Sequence, residues 1–336
     1  MKKILVTGGL GYIGSHTVVE LQSAGYDVVI IDNLENSTKG VKDRITTISG
    51  CPVELVVGDV NDEITIDRLF KEHDFYGVIH FAAYKAVGES VDNPIKYYKN
   101  NIGGLISLLG AMNKYGVQNL IFSSSCTVYG VAEDLPVTEH TPIKSAESPY
   151  GTTKIIGEEI IRDYAKHKEI KTVLLRYFNP VGAHPSAQIG ELPNGVPSNL
   201  VPYITQTAAG IREQLVIHGN DYNTSDGTCI RDYIHVVDLA KAHVKAMAFA
   251  DRMTDCVDVF NVGTGQGSTV LEVVQAFKKQ CNFDLNYTIG PRRAGDVEKI
   301  FADTQKISSV LEWQAKYDIN DMMYHAWMWQ KTLAKK

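Results

Sequence analysis

The sequence predicts an α/β protein: a doubly wound parallel sheet followed by a smaller α/β domain. Three observations carry that expectation. Strand-like and helix-like segments alternate through the first half, a glycine-rich turn joins the first strand-like run to a helix-like one, and the chain turns loop-rich after Phe178.

Short apolar runs bounded by polar or turn residues mark the strands. Ile4 to Val6 reads as the first, cut off by Thr7-Gly8-Gly9. Asp27 to Ile31, Val53 to Val57, Gly77 to Phe81, Asn119 to Phe122 and Thr172 to Tyr177 follow as strands two to six. Helices fill the gaps, among them Asn93 to Tyr115 and Pro149 to His167. The second opens at Ser148-Pro149, since serine is a good N-cap and proline loses nothing in a first turn. From Asn179 to Asn199 four prolines and three glycines predict a loop-rich cover over a ligand cleft. The expected division is therefore a first domain of 1–178 and a second of 179–336. A helix over 236–250 is expected to return to the first domain.

Composition narrows the class. With 336 residues, 44% hydrophobic and 21% charged, the chain is long enough for a sizeable core and about two domains. A net charge of −6 gives no electrostatic footprint for nucleic acid or an anionic membrane, so neither is expected as a partner. Five widely spaced cysteines without a CxxC argue against disulfides and a zinc site. The ten histidines lack metal-ligand spacing, and His16, His80 and His235 read as structural; no metal is expected. The apolar run after Met1 is too short for a signal-peptide core, and nowhere are there about 18 uninterrupted apolar residues. The expected location is the cytoplasm.

Thr7-Gly8-Gly9-Leu10-Gly11-Tyr12-Ile13-Gly14 stands where backbone must approach a pyrophosphate closely at a helix N-terminus. That is the context of a Rossmann dinucleotide site. Asp32 ends strand two, where a carboxylate accepts from both ribose hydroxyls of NAD and repels a 2′-phosphate, so NAD is expected rather than NADP. Asp59, after strand three, and Phe81-Ala82-Ala83, after strand four, fall on the same carboxyl-end rim.

Tyr150 and Lys154 stand four apart on the predicted helix and so face the same way. A phenol beside an ammonium is a proton-transfer unit, and the cation is expected to draw the phenol down from ~10. Ser125 follows strand five on the same rim, placed to hold a substrate oxygen while Tyr150 exchanges its proton.

Longer strings sharpen the reading. They are Thr7-Gly8-Gly9 through Gly14-Ser15-His16, Lys85-Ala86-Val87-Gly88-Glu89-Ser90, Ser123-Ser124-Ser125-Cys126-Thr127-Val128-Tyr129-Gly130, Leu175-Arg176-Tyr177-Phe178-Asn179-Pro180-Val181-Gly182-Ala183-His184-Pro185 and Arg231-Asp232-Tyr233-Ile234-His235. Together they resemble the UDP-glucose 4-epimerase family of the extended short-chain dehydrogenase/reductases. The resemblance covers nearly the whole chain. It implies interconversion of UDP-galactose and UDP-glucose through a 4-keto sugar, with tightly bound NAD acting as a prosthetic group. In related dehydratases an Asp-Glu pair follows the position of Ser125. Here Cys126-Thr127 stands there, so elimination is disfavoured.

By that resemblance NAD is met by Gly8, Gly11, Tyr12, Ile13, Gly14, Asp32, Asn33, Asp59, Val60, Phe81, Ala82, Lys85, Asn100, Tyr150, Lys154 and Tyr177. The UDP-sugar is met by Lys85, Ser125, Tyr150, Asn179, Asn199, Leu200, His218, Arg231, Tyr233, Arg293 and Asp296. Arg231 and Arg293 suit a diphosphate, because guanidinium pairs bidentately with phosphate oxygens. Relatives of this kind form homodimers through two helices per subunit, which here are 93–115 and 149–167.

Three positions depart from the common pattern. Ala83-Tyr84 replaces Gly-Leu beside the nicotinamide, and His218 stands where phenylalanine is frequent near the uracil. Ile300 occupies the position that gates sugar size, and isoleucine is intermediate. A UDP-N-acetylglucosamine or dual-specificity 4-epimerase therefore stays open as an alternative, as does a non-catalytic nucleotide sensor.

Overall fold

The computed structural model describes residues 1–293 and 296–334. Its strands are β1 (Lys3–Thr7), β2 (Asp27–Asp32), β3 (Glu54–Val57), β4 (Gly77–His80), β5 (Asn119–Ser123), β6 (Lys171–Tyr177), β7 (Asn179–Val181), β8 (Leu215–His218), β9 (Ile230–His235), β10 (Val257–Val262), β11 (Gly267–Thr269), β12 (Tyr287–Gly290) and β13 (Lys299–Ile300). The helices are α1 (Tyr12–Ser23), α2 (Gly40–Ser49), α3 (Glu63–Glu72), α4 (Val87–Asp92), α5 (Pro94–Tyr97), α6 (Gly103–Tyr115), α7 (Pro149–Ala165), α8 (Leu200–Ala208), α9 (Val236–Phe249), α10 (Val270–Cys281), α11 (Gln305–Leu311) and α12 (Ile319–Ala334).

Seven strands form an all-parallel sheet in the order β10-β6-β5-β4-β1-β2-β3. The order reverses between β1 and β4. In a doubly wound sheet the crevice at the carboxyl ends of such strands is where ligands bind. Alternate side chains explain the two covered faces. Ile4 and Val6 of β1 share one buried cluster with α1 and α9, whereas Leu5 joins a second with α3, α6 and α7. Asp62 caps α3 by accepting from Ile64 N, and Ser148 caps α7 by accepting from Gly151 N at 3.2 Å, with Pro149 in the first turn.

The later chain builds its own small layers. β9 pairs with β7 and β13 in parallel and with β11 antiparallel, and β8 pairs with β12. A separate cluster, including Val201, Ile204, Val273, Phe277 and Met323, fills the space beneath them. Helix α9 and strand β10 belong to the large sheet instead: Leu239, Ala242 and Ala246 lie in the cluster with α1, and β10 extends the sheet beyond β6.

The helix expected over Asn93 to Tyr115 runs from Pro94 to Tyr115, but its turns are not all alike. A wider π-turn, Tyr98–Ile102, separates α5 from α6. Asn101, 7% exposed, is the physical reason. Its amide accepts from Tyr84 N at 2.9 Å and donates to Tyr84 O at 3.1 Å and to Thr153 Oγ1 at 3.0 Å. A π-turn makes room for those contacts, and such turns concentrate at functional sites.

Candidate active site

A cleft of about 450 Å³ opens at the β1/β4 reversal. Its floor is the turn after β1. Gly8 has φ +66°, and a Cβ there would lie 3.0 Å from Ala82 N; a Cβ on Gly14 would lie 2.3 Å from Gly8 O. Only glycine lets the turn and the first helical residues pack so closely. Helix α1 starts without a side-chain cap and without an acid in its first turn, so its N–H donors and its dipole face the cleft. Asp32, 7% exposed, is held by Leu10 N at 3.0 Å, Leu34 N at 2.9 Å and Ser37 Oγ at 2.7 Å. Asp59 accepts from Asn61 N at 2.8 Å and Asn33 Nδ2 at 3.1 Å. Burial would raise the Asp59 carboxyl, but these hydrogen bonds outweigh it and leave it below the ordinary value. The glycine cradle, uncapped helix and oriented carboxylate fit a dinucleotide.

Every residue expected to meet NAD lines this one cleft: Gly8, Gly11, Tyr12, Ile13, Gly14, Asp32, Asn33, Asp59, Val60, Phe81, Ala82, Lys85, Asn100, Tyr150, Lys154 and Tyr177. The loop-rich segment between Gln188 and Asn199 forms the opposite wall. Arg44 Nη1 donates to Gln188 O at 3.0 Å, and Asn194 Nδ2 donates to Glu35 O at 3.0 Å, tying that wall to the dinucleotide side.

Ser125 is the N-cap of a single 3-10 turn, Cys126–Tyr129, where its Oγ accepts from Thr127 N at 3.2 Å. Tyr150 and Lys154 come from the first two turns of α7 and are 8% and 5% exposed. Lys154 Nζ sits 5.9 Å from the Tyr150 ring centroid and donates to Ser123 O at 2.7 Å. Burial dominates both groups. It pushes the Lys154 ammonium down to about 8, with the Glu158 carboxylate working the other way. It pushes the Tyr150 phenol well up from its ordinary value, helped by Tyr177 and opposed by the Ser125 hydroxyl. The expectation that the ammonium draws the phenol down is therefore not met by these residues alone. Desolvation of the phenolate outweighs a cation whose nearest bond is to a carbonyl.

The groups expected around the sugar nucleotide lie outside that cleft lining, except Lys85, Asn199, Tyr150. Strand β9 gathers most of them: Tyr233 is registered with Asn179 of β7, and Arg231 with Ile300 of β13. Asp296 receives Arg293 Nη2 at 2.7 Å and has Arg231 Nη2 at 3.6 Å. Arg231 is near enough to act on the Cys126 thiol, although burial dominates and raises that thiol to about 12. Strand β9 thus carries Arg231 toward the turn after Ser125. His218 ends β8, exposed, with Nδ1 3.3 Å from Pro291 O. Leu200 opens α8. Ile300, 5% exposed, packs with Val128, Tyr129 and Phe178 behind the same turn. Ala294 and Gly295, between Arg293 and Asp296, lie outside the described residues.

Sequence reasoning missed two residues that organise the site. Glu191 Oε1 accepts from Lys85 Nζ at 2.9 Å and from Asn199 Nδ2 at 2.8 Å, holding two expected sugar contacts on one carboxylate. Asn101 braces Tyr84 against α7. Neither has a local signal: Lys85 lies 106 residues from Glu191, and Tyr84 and Thr153 lie 17 and 52 residues from Asn101. His80 and His235 are structural: the first bonds Thr7 Oγ1 at 2.8 Å, and the second caps α9 by accepting from Val237 N at 3.1 Å. Among the described residues no cluster of three or more His, Cys, Asp and Glu could hold a metal ion, and no helix is long and apolar enough to cross a membrane.

Comparison with known proteins agrees with this geometry. The pattern of the family described as GDP-mannose 4,6 dehydratase matches residues 5–326. UDP-glucose 4-epimerase of Bacillus subtilis (strain 168) is 50% identical over 330 residues, covering 98% of this chain and 97% of that protein. UDP-glucose 4-epimerase of Yersinia pestis is 49% identical, covering 97% of each. The crystal structure of UDP-glucose-4-epimerase from Stenotrophomonas maltophila, with bound NAD and formylated UDP-arabinopyranose, superposes with a TM-score of 0.97 at 47% identity, covering 100% of this chain and 99% of that one. That of Bifidobacterium longum, in complex with NAD+ and UDP, gives 0.94 at 46% identity, covering 98% of each. With the broad pattern shared by dehydratases, a Cys126-Thr127 pair in place of their two acids, and near-complete matches to epimerases, the chain belongs to the UDP-glucose 4-epimerase family.

Proposed function

We propose that this protein is an NAD-dependent UDP-hexose 4-epimerase, interconverting UDP-galactose and UDP-glucose through a 4-keto sugar. The observation that carries the reading is the convergence of Tyr150, Lys154 and the dinucleotide cradle on one cleft, in a chain half identical to curated epimerases over almost its whole length. NAD held in the cradle supplies reversible hydride acceptance at the sugar C4. Tyr150 takes the C4 hydroxyl proton and returns it, and the Ser125 hydroxyl holds the C4 oxygen. Lys154, buried and cationic, offsets the negative charge as the phenol ionises. Arg231 and Arg293 hold the diphosphate, Asp296 takes the uridine ribose, and Asn179, Asn199, Leu200, His218 and Tyr233 complete the nucleotide-sugar contacts.

The thiol of Cys126, raised by burial, and the hydroxyl of Thr127 supply no acid–base pair for elimination at neutral pH, which favours epimerisation over dehydration. Purified protein given UDP-galactose without added NAD is expected to yield UDP-glucose. No product even after NAD is supplied would overturn the reading. The activity of the relatives favours the simple hexoses, with Ile300, intermediate in size and buried against Val128, Tyr129 and Phe178, as the proposed gate. UDP-N-acetylgalactosamine should turn over much more slowly than UDP-galactose; equal rates would favour a dual-specificity enzyme.

The reading extends to organisation. We infer a dinucleotide-binding unit of 1–178, to which α9 and β10 of 236–262 return, and a sugar-nucleotide unit formed by the rest of 179–336. A homodimer through the helices of 93–115 and 149–167 is what the resemblance to the family implies. Five free cysteines support a reducing, cytoplasmic setting.

A further inference from the structure

Behind Ser125, Tyr150 and Lys154 lies a charged pair with no part in the scheme above. Glu158 and Arg176 are 1% and 2% exposed. Arg176 Nε donates to Glu158 Oε1 at 2.9 Å and Nη2 to Oε2 at 2.6 Å, a bidentate fork. Ser124 Oγ donates to the same carboxylate at 2.6 Å. Arg176 Nη1 reaches the Tyr129 hydroxyl at 3.1 Å, and that hydroxyl donates to Asn261 Oδ1 at 2.6 Å.

Each member adjoins a residue of the site. Ser124 precedes Ser125, Tyr129 ends the turn that Ser125 caps, Glu158 is one helical turn beyond Lys154, and Arg176 precedes Tyr177. Burying two charges cancels much of what their attraction returns, and an apolar pair of similar volume would hold the fold as well. Stability alone therefore does not account for this pair. Its position does.

We propose that the Glu158–Arg176 pair is a positioning device for the reaction: it locks the Ser125 turn, the Tyr150–Lys154 helix and the Tyr177 strand end into one geometry, with the Glu158 carboxylate held one helical turn from the Lys154 ammonium. The inference rests on the roles given above to Tyr150 and Lys154. Lys154 is faced by Tyr150 and Glu158 from α7, by the Phe122 ring at 5.2 Å and Ser123 O from β5, and by His80 from β4. From β6, Arg176 reaches it only through Glu158, while Tyr177, Cys126 and Tyr97 stand around Tyr150. Burial holds His80 down to about 3 and raises Cys126 and Tyr177 to about 12, so these groups are neutral at pH 7. Tyr97 is likewise raised. Glu158, which also has Arg162 Nη2 of its own helix at 3.7 Å, is then the carboxylate that offsets the desolvation of Lys154, and the Arg176 fork holds it in place.

The test is Glu158→Gln, which keeps the shape and removes the charge. The titration of Lys154, followed by NMR with isotope-labelled lysine, should move to lower pH by about one unit. The alkaline limb of kcat should follow, so activity at pH 8.5 falls about tenfold while that at pH 6.5 changes less than about threefold. Arg176→Met, which frees the carboxylate toward Lys154, should move both to higher pH. If Glu158→Gln strands Arg176 and does not fold, Glu158→Gln with Arg176→Met removes both charges, and its Lys154 titration should lie below that of Arg176→Met alone. A folded variant with a lower Tm but an unmoved titration and limb would overturn the proposal and leave the pair a scaffold. A wild-type protein without epimerase activity would overturn the functional reading, while the Lys154 titration would still decide the role of the pair.

Discussion

The dinucleotide side and the sugar-nucleotide side of this molecule are built from different materials. The first uses backbone: glycines that no side chain could replace, the open N–H groups of α1, and an Asp32 carboxylate fixed by three donors. The second uses long charged side chains, Arg231 on a short strand and Arg293 in the loop after β12, which share Asp296. Backbone in a sheet register has little freedom to lose on binding, whereas an arginine has much. The difference suits a cofactor that stays and a substrate that exchanges.

Tyr150 stands where the two sides meet, and its removal should separate them most sharply. Tyr150→Phe deletes the exchanging proton and little else. Turnover should fall by about a thousandfold or more, with retained NAD and a Tm within a few degrees of wild type. Activity above about a tenth of wild type would remove Tyr150 from its proposed role. A backbone-level lesion comes next. Gly14→Ala places a Cβ 2.3 Å from Gly8 O and must push α1 off the turn. Co-purifying NAD, read by absorbance after denaturation, should drop at least about tenfold. If the cofactor stays, the cradle is more yielding than the packing of these two residues allows.

On the other side the expected loss is smaller and differently distributed. If Arg293 holds the diphosphate as proposed, Arg293→Met removes a charge-assisted contact of ~1.5–3 kcal/mol, and KM for UDP-galactose should rise by about ten- to a hundredfold. NAD content should be unchanged and kcat should stay within about threefold. A matching loss of NAD would show that the two sides are coupled rather than separable.

The contrast also explains what was legible in advance. The glycine turn, Asp32, and the Tyr150–Lys154 spacing are local patterns, and all of them reach one cleft because a parallel sheet brings its strand ends together. The six strands read from the first half lie within a residue or two of those observed. The π-turn at Tyr98–Ile102 was invisible, since apolar spacing reports which face is buried and not how wide a turn is. Glu191 was invisible for another reason: Lys85, which it holds, is 106 residues away, and an acid in a loop looks like any solvated charge. The Glu158–Arg176 fork falls between these cases. Both residues sit in recognisable elements, but only the packing of α7 against the end of β6 shows that they meet.

The smallest effect concerns acid and again divides the two sides. His243 of α9 lies against the Phe81 and Tyr177 rings, at 4.7 and 6.3 Å between centroids, on the dinucleotide side. Its Nδ1 donates to Leu239 O at 2.9 Å, which leaves Nε2 buried with no partner among the described residues. A proton there would have no acceptor, and burial accordingly lowers the imidazole to about 4 from an ordinary 6.5. The unfolded chain therefore holds the extra proton between those values, so this histidine costs stability as pH falls through 6.5 and costs nothing more below about 4. At pH 5 the cost is about 2 kcal/mol. His243→Leu removes the proton site while keeping an apolar contact for Phe81. Its Tm should fall less than that of wild type between pH 7.5 and 5, the difference being a few degrees. The exposed His218, on the sugar-nucleotide side, is the control: His218→Leu should leave the acid sensitivity of Tm unchanged, and an equal effect from both variants would mean that acid acts on the chain as a whole rather than through the buried ring.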